Sequence, residues 1–244
     1  MLALETALVG AIARGEVYAV FQPQFDVRSG RLVAAEALCR WRHPELGDVP
    51  PMDFIAAAED ADLIEEIGRF MAEQCCRALG DWAIDLSVNV SPYQLETPEF
   101  TEWLAECLST HEQKGGTLTL EITESRPIGN ISTVLRYLEP LRELGVGVAL
   151  DDFGTGHASV KQLRRLHGSE VKLDRSLVAD PSAMERMAEV VEIAHASGIR
   201  VVAEGIETHD DLERVRALGC DRAQGYLLGR PMTRADFHKV ASAA

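Results

Sequence analysis

The sequence predicts an α/β fold: a modified (β/α)8 barrel of the TIM type, with its first strand antiparallel to the rest. Three observations predict it. About eight short apolar runs alternate with amphipathic segments, the pattern of a mostly parallel sheet covered by helices. The first two runs are joined by only DVRSGR, residues 26–31, a connector too short for a crossover helix, so those strands pair antiparallel. Eight strands within 244 residues match the size of a closed barrel. A doubly wound open sheet is the main rival.

The elements follow in order. Leu4, Leu8 and Ile12 recur at helical spacing and Gly15 offers a stop, so residues 1–16 read as an N-terminal helix packed on the barrel. YAVFQPQF (18–25) and LVAAEALCRW (32–41) read as strands. Helices are expected at 52–60 and 63–79, then strand DLSVNV (85–90), a helix near 98–110 and strand TLTLEIT (117–123). A helix near 131–144 leads into GVGVALD (145–151), and another near 157–166 into EVKLD (170–174). A helix near 182–197 precedes IRVVAE (199–204). A helix near 209–218, a strand around 222–227 and a terminal helix near 233–241 complete the chain. No linker, repeat or low-complexity stretch divides it, so residues 1–244 read as one domain.

Composition excludes some functions. Lys and Arg total 24 against 39 Asp and Glu, a net charge of −15. Duplex nucleic acid is therefore not an expected partner, because its affinity comes mainly from basic contacts to phosphate. No apolar run reaches the roughly 18 residues of a membrane span. The N-terminus lacks the basic start of a signal peptide. The five cysteines, at 39, 75, 76, 107 and 220, match no zinc or disulfide spacing. Free thiols in a cytoplasmic protein are the expectation.

Polar residues gather at or near the predicted strand ends. They are Glu36 and Arg40, Asn89, Glu121, Asp151 with Asp152, Lys172 with Asp174, Glu204, and Gln224. In a parallel barrel these ends meet at one mouth, where such folds build their sites. Glu36 and Arg40 are four apart and share a face, and Thr119 and Glu121 point inward if Leu118, Leu120 and Ile122 face the helices. Each residue alone is explained by a turn, a cap or an ion pair. Together they crowd carboxylates, of which Glu36, Glu121, Asp151, Asp152 and Glu204 make five. Two like charges about 5 Å apart repel by roughly 3 kcal/mol at an effective dielectric near 20. Hard divalent cations relieve that, and an all-oxygen set with one amide suits Mg²⁺ or Mn²⁺. Adjacent Asp151 and Asp152 suit two neighbouring ions, which in other enzymes activate water for displacement at phosphorus.

Eight stretches, in order, carry a resemblance. They are FQP (21–23), EALCRW (36–41), SVNVS (87–91), LEITES (120–125), DDFGTG (151–156), VKLDRS (171–176), AEGIET (203–208) and QGY (224–226). Over about Val17 to Pro231 the sequence resembles the EAL-domain family of bacterial cyclic-di-GMP phosphodiesterases. The resemblance implies a two-metal enzyme using Mg²⁺ or Mn²⁺ that releases linear pGpG. Glu36, Asn89, Glu121 and Asp151 match ligands of one ion, and Asp151, Asp152 and Glu204 ligands of the other. Lys172 matches the residue contacting the nucleophilic water, with Asp174 beside it. Gln22, Arg40 and, more loosely, Gln224 match substrate contacts. Glu207 matches a further polar position of the site, and Glu124 a residue that steadies the loop after DDFG. Catalysis would fall to Lys172, Glu204 and Asp152 with the ions.

Gly154 and Gly156 permit a hinge in that loop, and the resemblance implies dimerisation through this region. Sensor or regulatory domains outside this chain would fit the same picture. His157, Ala158 and Ser159 stand where the family often has Tyr-Ser-Ser, and Leu177 where it usually has Phe. A different class of function is a receptor that binds cyclic-di-GMP without cleaving it. An enolase-like metal lyase is a third, but it leaves FQP, Asn89 and QGY unexplained.

Overall fold

A computed structural model describes residues 4–122, 130–153 and 165–242, with 151–153 described in their backbone. The chain closes a barrel of eight strands. In sheet order these are β1 (Val17–Asp26), β9 (Arg222–Ala223), β8 (Arg200–Ala203), β7 (Glu170–Leu173), β6 (Gly147–Phe153), β5 (Leu118–Ile122), β4 (Asp85–Val90) and β2 (Leu32–His43). β1 runs antiparallel to both β2 and β9. The remaining neighbours are parallel. The expected reversed first strand is present, and pairing of β1 with β2 closes the ring that an open sheet would leave unpaired.

Two short strands escape sequence pattern. β3 (Gly47–Val49) folds back on β2, and β10 (Met232–Thr233) pairs antiparallel with β1 at Val20 and Phe21. Two or three residues are too few for periodicity to show.

The helices pack outside. They are α1 (Leu4–Leu8), α2 (Pro51–Asp60), α3 (Ile64–Leu79), α4 (Pro98–Thr110), α5 (Ile131–Glu143), α6 (Arg175–Val178), α7 (Met184–His195), α8 (His209–Leu218) and α9 (Arg234–Ala241). The helix expected near 157–166 lies almost wholly outside the described residues. The N-terminal helix is shorter than expected. It stops at Leu8 because Gly10 takes a left-handed backbone angle, φ 70°, which ends a helix readily at glycine. The Arg14 guanidinium then donates to the carbonyls of Ala7 and Val9, both at 2.7 Å. No helix among the described residues is long and apolar enough to cross a membrane. All five cysteines are free.

Strand alternation separates two environments. Leu86, Val88 and Val90 on β4, Leu118, Leu120 and Ile122 on β5, and Val171 and Leu173 on β7 are buried in the apolar core beneath the helices. Phe21 on β1 joins that core through Trp82 and Phe237, with ring centroids 5.0 and 6.0 Å away. The intervening residues line the barrel interior, and they are polar at two levels.

The level at the N-terminal ends of the strands is an ion network. Glu170, 1% exposed, accepts from Arg200 at 3.0 Å, with Arg222 3.7 Å away. Asp85 pairs with Arg222 and accepts from the Thr117 backbone and hydroxyl at 3.0 and 2.9 Å. Burial alone would raise the Asp85 pKa, but Arg222 and the Thr117 hydrogen bonds outweigh it and hold it below the usual carboxylate value. This layer pairs its own charges and fills the barrel floor.

Candidate active site

The second polar level lies at the C-terminal ends of the strands. Its centre is Lys172 on β7, 1% exposed. Its Nζ lies 2.7 Å from Glu121 Oε2, 2.7 Å from Glu204 Oε1 and 3.1 Å from Glu36 Oε2. Thus carboxylates from three separate segments, on β5, after β8 and on β2, reach one nitrogen. A buried lysine flanked this way is no surface side chain reaching for water. It offsets charges whose mutual repulsion would otherwise oppose folding.

Amides complete the cluster. Asn89, paired in register with Glu121, donates from Nδ2 to Glu36 Oε1 at 2.8 Å. Its carbonyl end is thereby turned away from Glu36. Gln224 donates from Nε2 to Glu36 Oε2 at 2.6 Å and to Glu204 Oε1 at 3.4 Å. Burial of Glu36 on its own would raise its pKa. The Lys172 charge and the hydrogen bonds from Gln224 and Asn89 prevail, so the carboxyl is held below its ordinary value and stays ionised.

Local sequence explains these placements. Gln224 follows the two residues of β9, and Gly225 comes next. A Cβ at Gly225 would lie 2.2 Å from both the backbone nitrogen and oxygen of Ile206. Only glycine allows this approach, which is locked by Ile206 N to Gln224 O at 3.0 Å and Leu227 N to Ile206 O at 3.0 Å. The strand expected around 222–227 therefore ends at Ala223, and the chain turns onto the segment that carries Glu204. On β6 the register to β7 runs Leu150 to Val171 and then Phe153 to Leu173. Two residues, Asp151 and Asp152, therefore lie across from Lys172 alone. This is a β-bulge, a device frequent beside active sites.

The other expected residues spread outward. Gln22 on β1, in register with Glu36, is buried and donates to the Gly229 carbonyl at 3.3 Å. Arg40 is half-buried and donates to the Cys39 carbonyl at 2.8 Å. Asp174 caps α6, accepting from the Ser176 backbone at 2.8 Å and from its hydroxyl. Glu207 is exposed and pairs with Arg175 at 2.9 Å. Glu124, Gly154, Gly156 and His157 lie outside the described residues, as do the side chains of Asp151 and Asp152. One neighbour of the cluster was missed from sequence. Gln24, 1% exposed, donates from Nε2 to Gln224 Oε1 at 2.9 Å. Its position two residues after Gln22, on the same strand face, was the available signal.

The family model of the EAL domain matches residues 5–231. The chain belongs to the EAL domain family. The EAL motif itself is Glu36-Ala37-Leu38 on β2, so its glutamate is one of the three that meet Lys172. A cyclic di-GMP phosphodiesterase of Pseudomonas aeruginosa is 39% identical over 239 residues, covering 94% of this EAL domain and 41% of that protein. The cyclic di-GMP phosphodiesterase RocR of the same organism is 34% identical, covering 94% and 61%. This chain thus spans less than two thirds of either relative. Among solved structures, the PaMucR phosphodiesterase in complex with c-di-GMP superposes with a TM-score of 0.87 at 33% identity, over 97% of this EAL domain and 100% of that chain.

The donor set fits a hard divalent ion in kind, being carboxylate oxygens with one amide carbonyl. Among the described residues, no three His, Cys, Asp or Glu side chains are arranged to hold a metal by themselves. The glutamates converge on the Lys172 ammonium instead.

Proposed function

We propose that this EAL domain is a phosphodiesterase that hydrolyses cyclic di-GMP to linear pGpG with two divalent ions, Mg²⁺ or Mn²⁺. The observation that carries this reading is the convergence of Glu36, Glu121 and Glu204 on one buried point. Asn89, Asp151 and Asp152 complete the set that would hold the ions. When bound, such ions activate water and neutralise charge at the reacting phosphorus. The bulge at Asp151 and Asp152 supports this assignment, since it sets two successive carboxylate-bearing residues against Lys172.

The chain's own residues have distinct roles in this reading. Five carboxylates against two divalent ions leave one negative charge, which Lys172 balances. Its ammonium, freed in part from the glutamates, would stand beside the attacking water and favour loss of a proton from it. Glu204 and Asp152 act with it at the reacting centre. Gln22, Arg40 and Gln224 contact the substrate, with Asp174 and Glu207 at the rim and Glu124 steadying the neighbouring loop. A net charge of −15 opposes approach of an anionic dinucleotide, so attraction must be local, from the ions, Arg40 and Lys172.

One observation favours a second reading. Lys172 already offsets part of the glutamate charge, as a receptor that binds cyclic di-GMP without cleaving it would need. Incubating the purified chain with cyclic di-GMP and Mn²⁺ or Mg²⁺, then separating products, discriminates the two. Release of pGpG is expected. Tight binding with the dinucleotide recovered intact would assign the chain to the receptors.

A further inference from the structure

We propose that Gln24 is a positioning residue that sets which way round the Gln224 amide lies, and so holds Glu36 and Glu204 in place, each for its own divalent ion. The inference rests on the metal-binding roles proposed above for those two glutamates.

A glutamine amide has two ends of nearly equal shape and opposite hydrogen-bonding character. Turning it by half a revolution costs little packing but exchanges donor for acceptor. At Gln224 that choice matters. Its NH₂ faces two carboxylate oxygens, Glu36 Oε2 at 2.6 Å and Glu204 Oε1 at 3.4 Å. Its oxygen faces the NH₂ of Gln24 at 2.9 Å. A flipped Gln224 would set its lone pairs against two anions and its donors against the donors of Gln24. The first contact would turn repulsive, and the second would survive only if the buried Gln24 amide turned as well. Gln24 and Glu36 therefore select the same orientation from opposite ends.

Burial makes the selection strict. Gln24, Gln224 and Glu36 are 1%, 5% and 4% exposed, so water is poorly placed to replace a lost partner, and unmet polar groups are costly there. Topology explains why β1 supplies the part. The reversed strand lies between β2, which carries Glu36, and β9, which leads to Gln224. Gln24 pairs with Ala34 and Phe25 with Ala223. A side chain on the inner face of β1 is the one that spans both neighbours. Glu36 is then clamped from both oxygens, by Asn89 on Oε1 and by Gln224 on Oε2. Hydrogen-bond partners of ligating side chains commonly govern metal affinity in this manner.

Three variants test the proposal: Gln24→Met, which keeps volume and removes the donor, Gln24→Glu, which offers acceptors only, and Gln24→Met combined with Gln224→Met. Mn²⁺ binding is measured by calorimetry without substrate. Gln24→Met is expected to weaken binding about tenfold, and Gln24→Glu at least as much. With Gln224→Met already present, Gln24→Met is expected to add nothing. Native affinity in Gln24→Met, or penalties that add fully in the double variant, would overturn the proposal. Nuclear magnetic resonance of the metal-free protein gives a second readout. The Gln224 side-chain amide protons are expected to show slowed exchange in the native chain and faster exchange in Gln24→Met, and identical exchange in both would overturn the proposal. If the native chain binds no Mn²⁺, the metal reading fails, while the amide signals still decide the role of Gln24.

Discussion

The ammonium of Lys172 lies 2.7 Å from Glu121 Oε2, and both side chains are almost completely shut from solvent, 1% and 0% exposed. Lys172 also meets Glu36 and Glu204. Removing it leaves three acids facing one another. Lys172→Met is therefore expected to lose about 3–5 kcal/mol of stability in the absence of divalent ions. Added Mn²⁺ is expected to raise its melting temperature more than that of the native chain, because the ion takes over the lost charge compensation. Thermal unfolding with and without Mn²⁺ checks both statements, and an unchanged melting temperature in the metal-free variant contradicts them.

Glu36 is bound on both oxygens, but Lys172 keeps Glu121 and Glu204 if it is lost. Glu36→Ala is expected to abolish measurable turnover and weaken Mn²⁺ binding while the protein remains folded. Product chromatography, calorimetry and circular dichroism separate the three effects. Normal turnover with tight metal binding would remove Glu36 from the ligand set.

Asp85 gives a pH prediction far from the mouth. Its folded pKa is held below its ordinary value, with Arg222 and Thr117 outweighing burial. A depressed folded pKa stabilises the protein above the unfolded pKa, about 3.9 for Asp. That stabilisation is lost as pH falls through the lower, folded value. Urea unfolding from pH 6 downward is expected to show a steep loss of native stability below about pH 4. Asp85→Asn should be less stable at pH 6 and flatter over the acid limb. Parallel curves would show that Asp85 contributes nothing to the acid limb.

Gly225→Ala places a methyl group against the Ile206 backbone, where a Cβ would meet atoms at 2.2 Å. The chain must move, and Gln224 moves with it. The expected cost is about 1–3 kcal/mol of stability, typical of overpacking, together with weaker Mn²⁺ binding. Chemical denaturation and calorimetry report the two effects. A fully native variant would mean that this segment tolerates displacement.

How much of this was legible follows from how local each signal is. α4 and α8 were readable to the residue because their caps are written nearby. Pro98 opens α4, and Thr208 with Asp211 forms a reciprocal capping box at α8. The inner-face position of Glu121 followed from period-two alternation, whereas Lys172 was placed only by its strand end and by the family pattern. The reversed first strand followed from a six-residue connector. Long-range features were not readable. The floor network joins Asp85 to Arg222 across 137 positions, and nothing near either residue signals the other. The bulge at Asp151 and Asp152 shows as two adjacent acids in sequence, but the unmatched register against β7 needs the paired strand to be seen. Asp174 and Glu207 were read as site residues from the family pattern. Their local geometry is a helix cap and an exposed pair with Arg175, neither of which joins the Lys172 cluster. Gln24 shared its face with Gln22 in plain view, but the amide relay to Glu36 depends on β9 lying on its other side.

The central claim is that these side chains cage a pair of divalent ions beside a phosphodiester. Anomalous diffraction at the manganese edge, from crystals holding Mn²⁺ and a non-hydrolysable cyclic di-GMP analogue, tests it most directly. The account predicts two peaks roughly 3.5–4 Å apart, touching Glu36, Asn89, Glu121, Asp151, Asp152 and Glu204, with Lys172 drawn toward the phosphate. A bound dinucleotide with no manganese among those residues would contradict it.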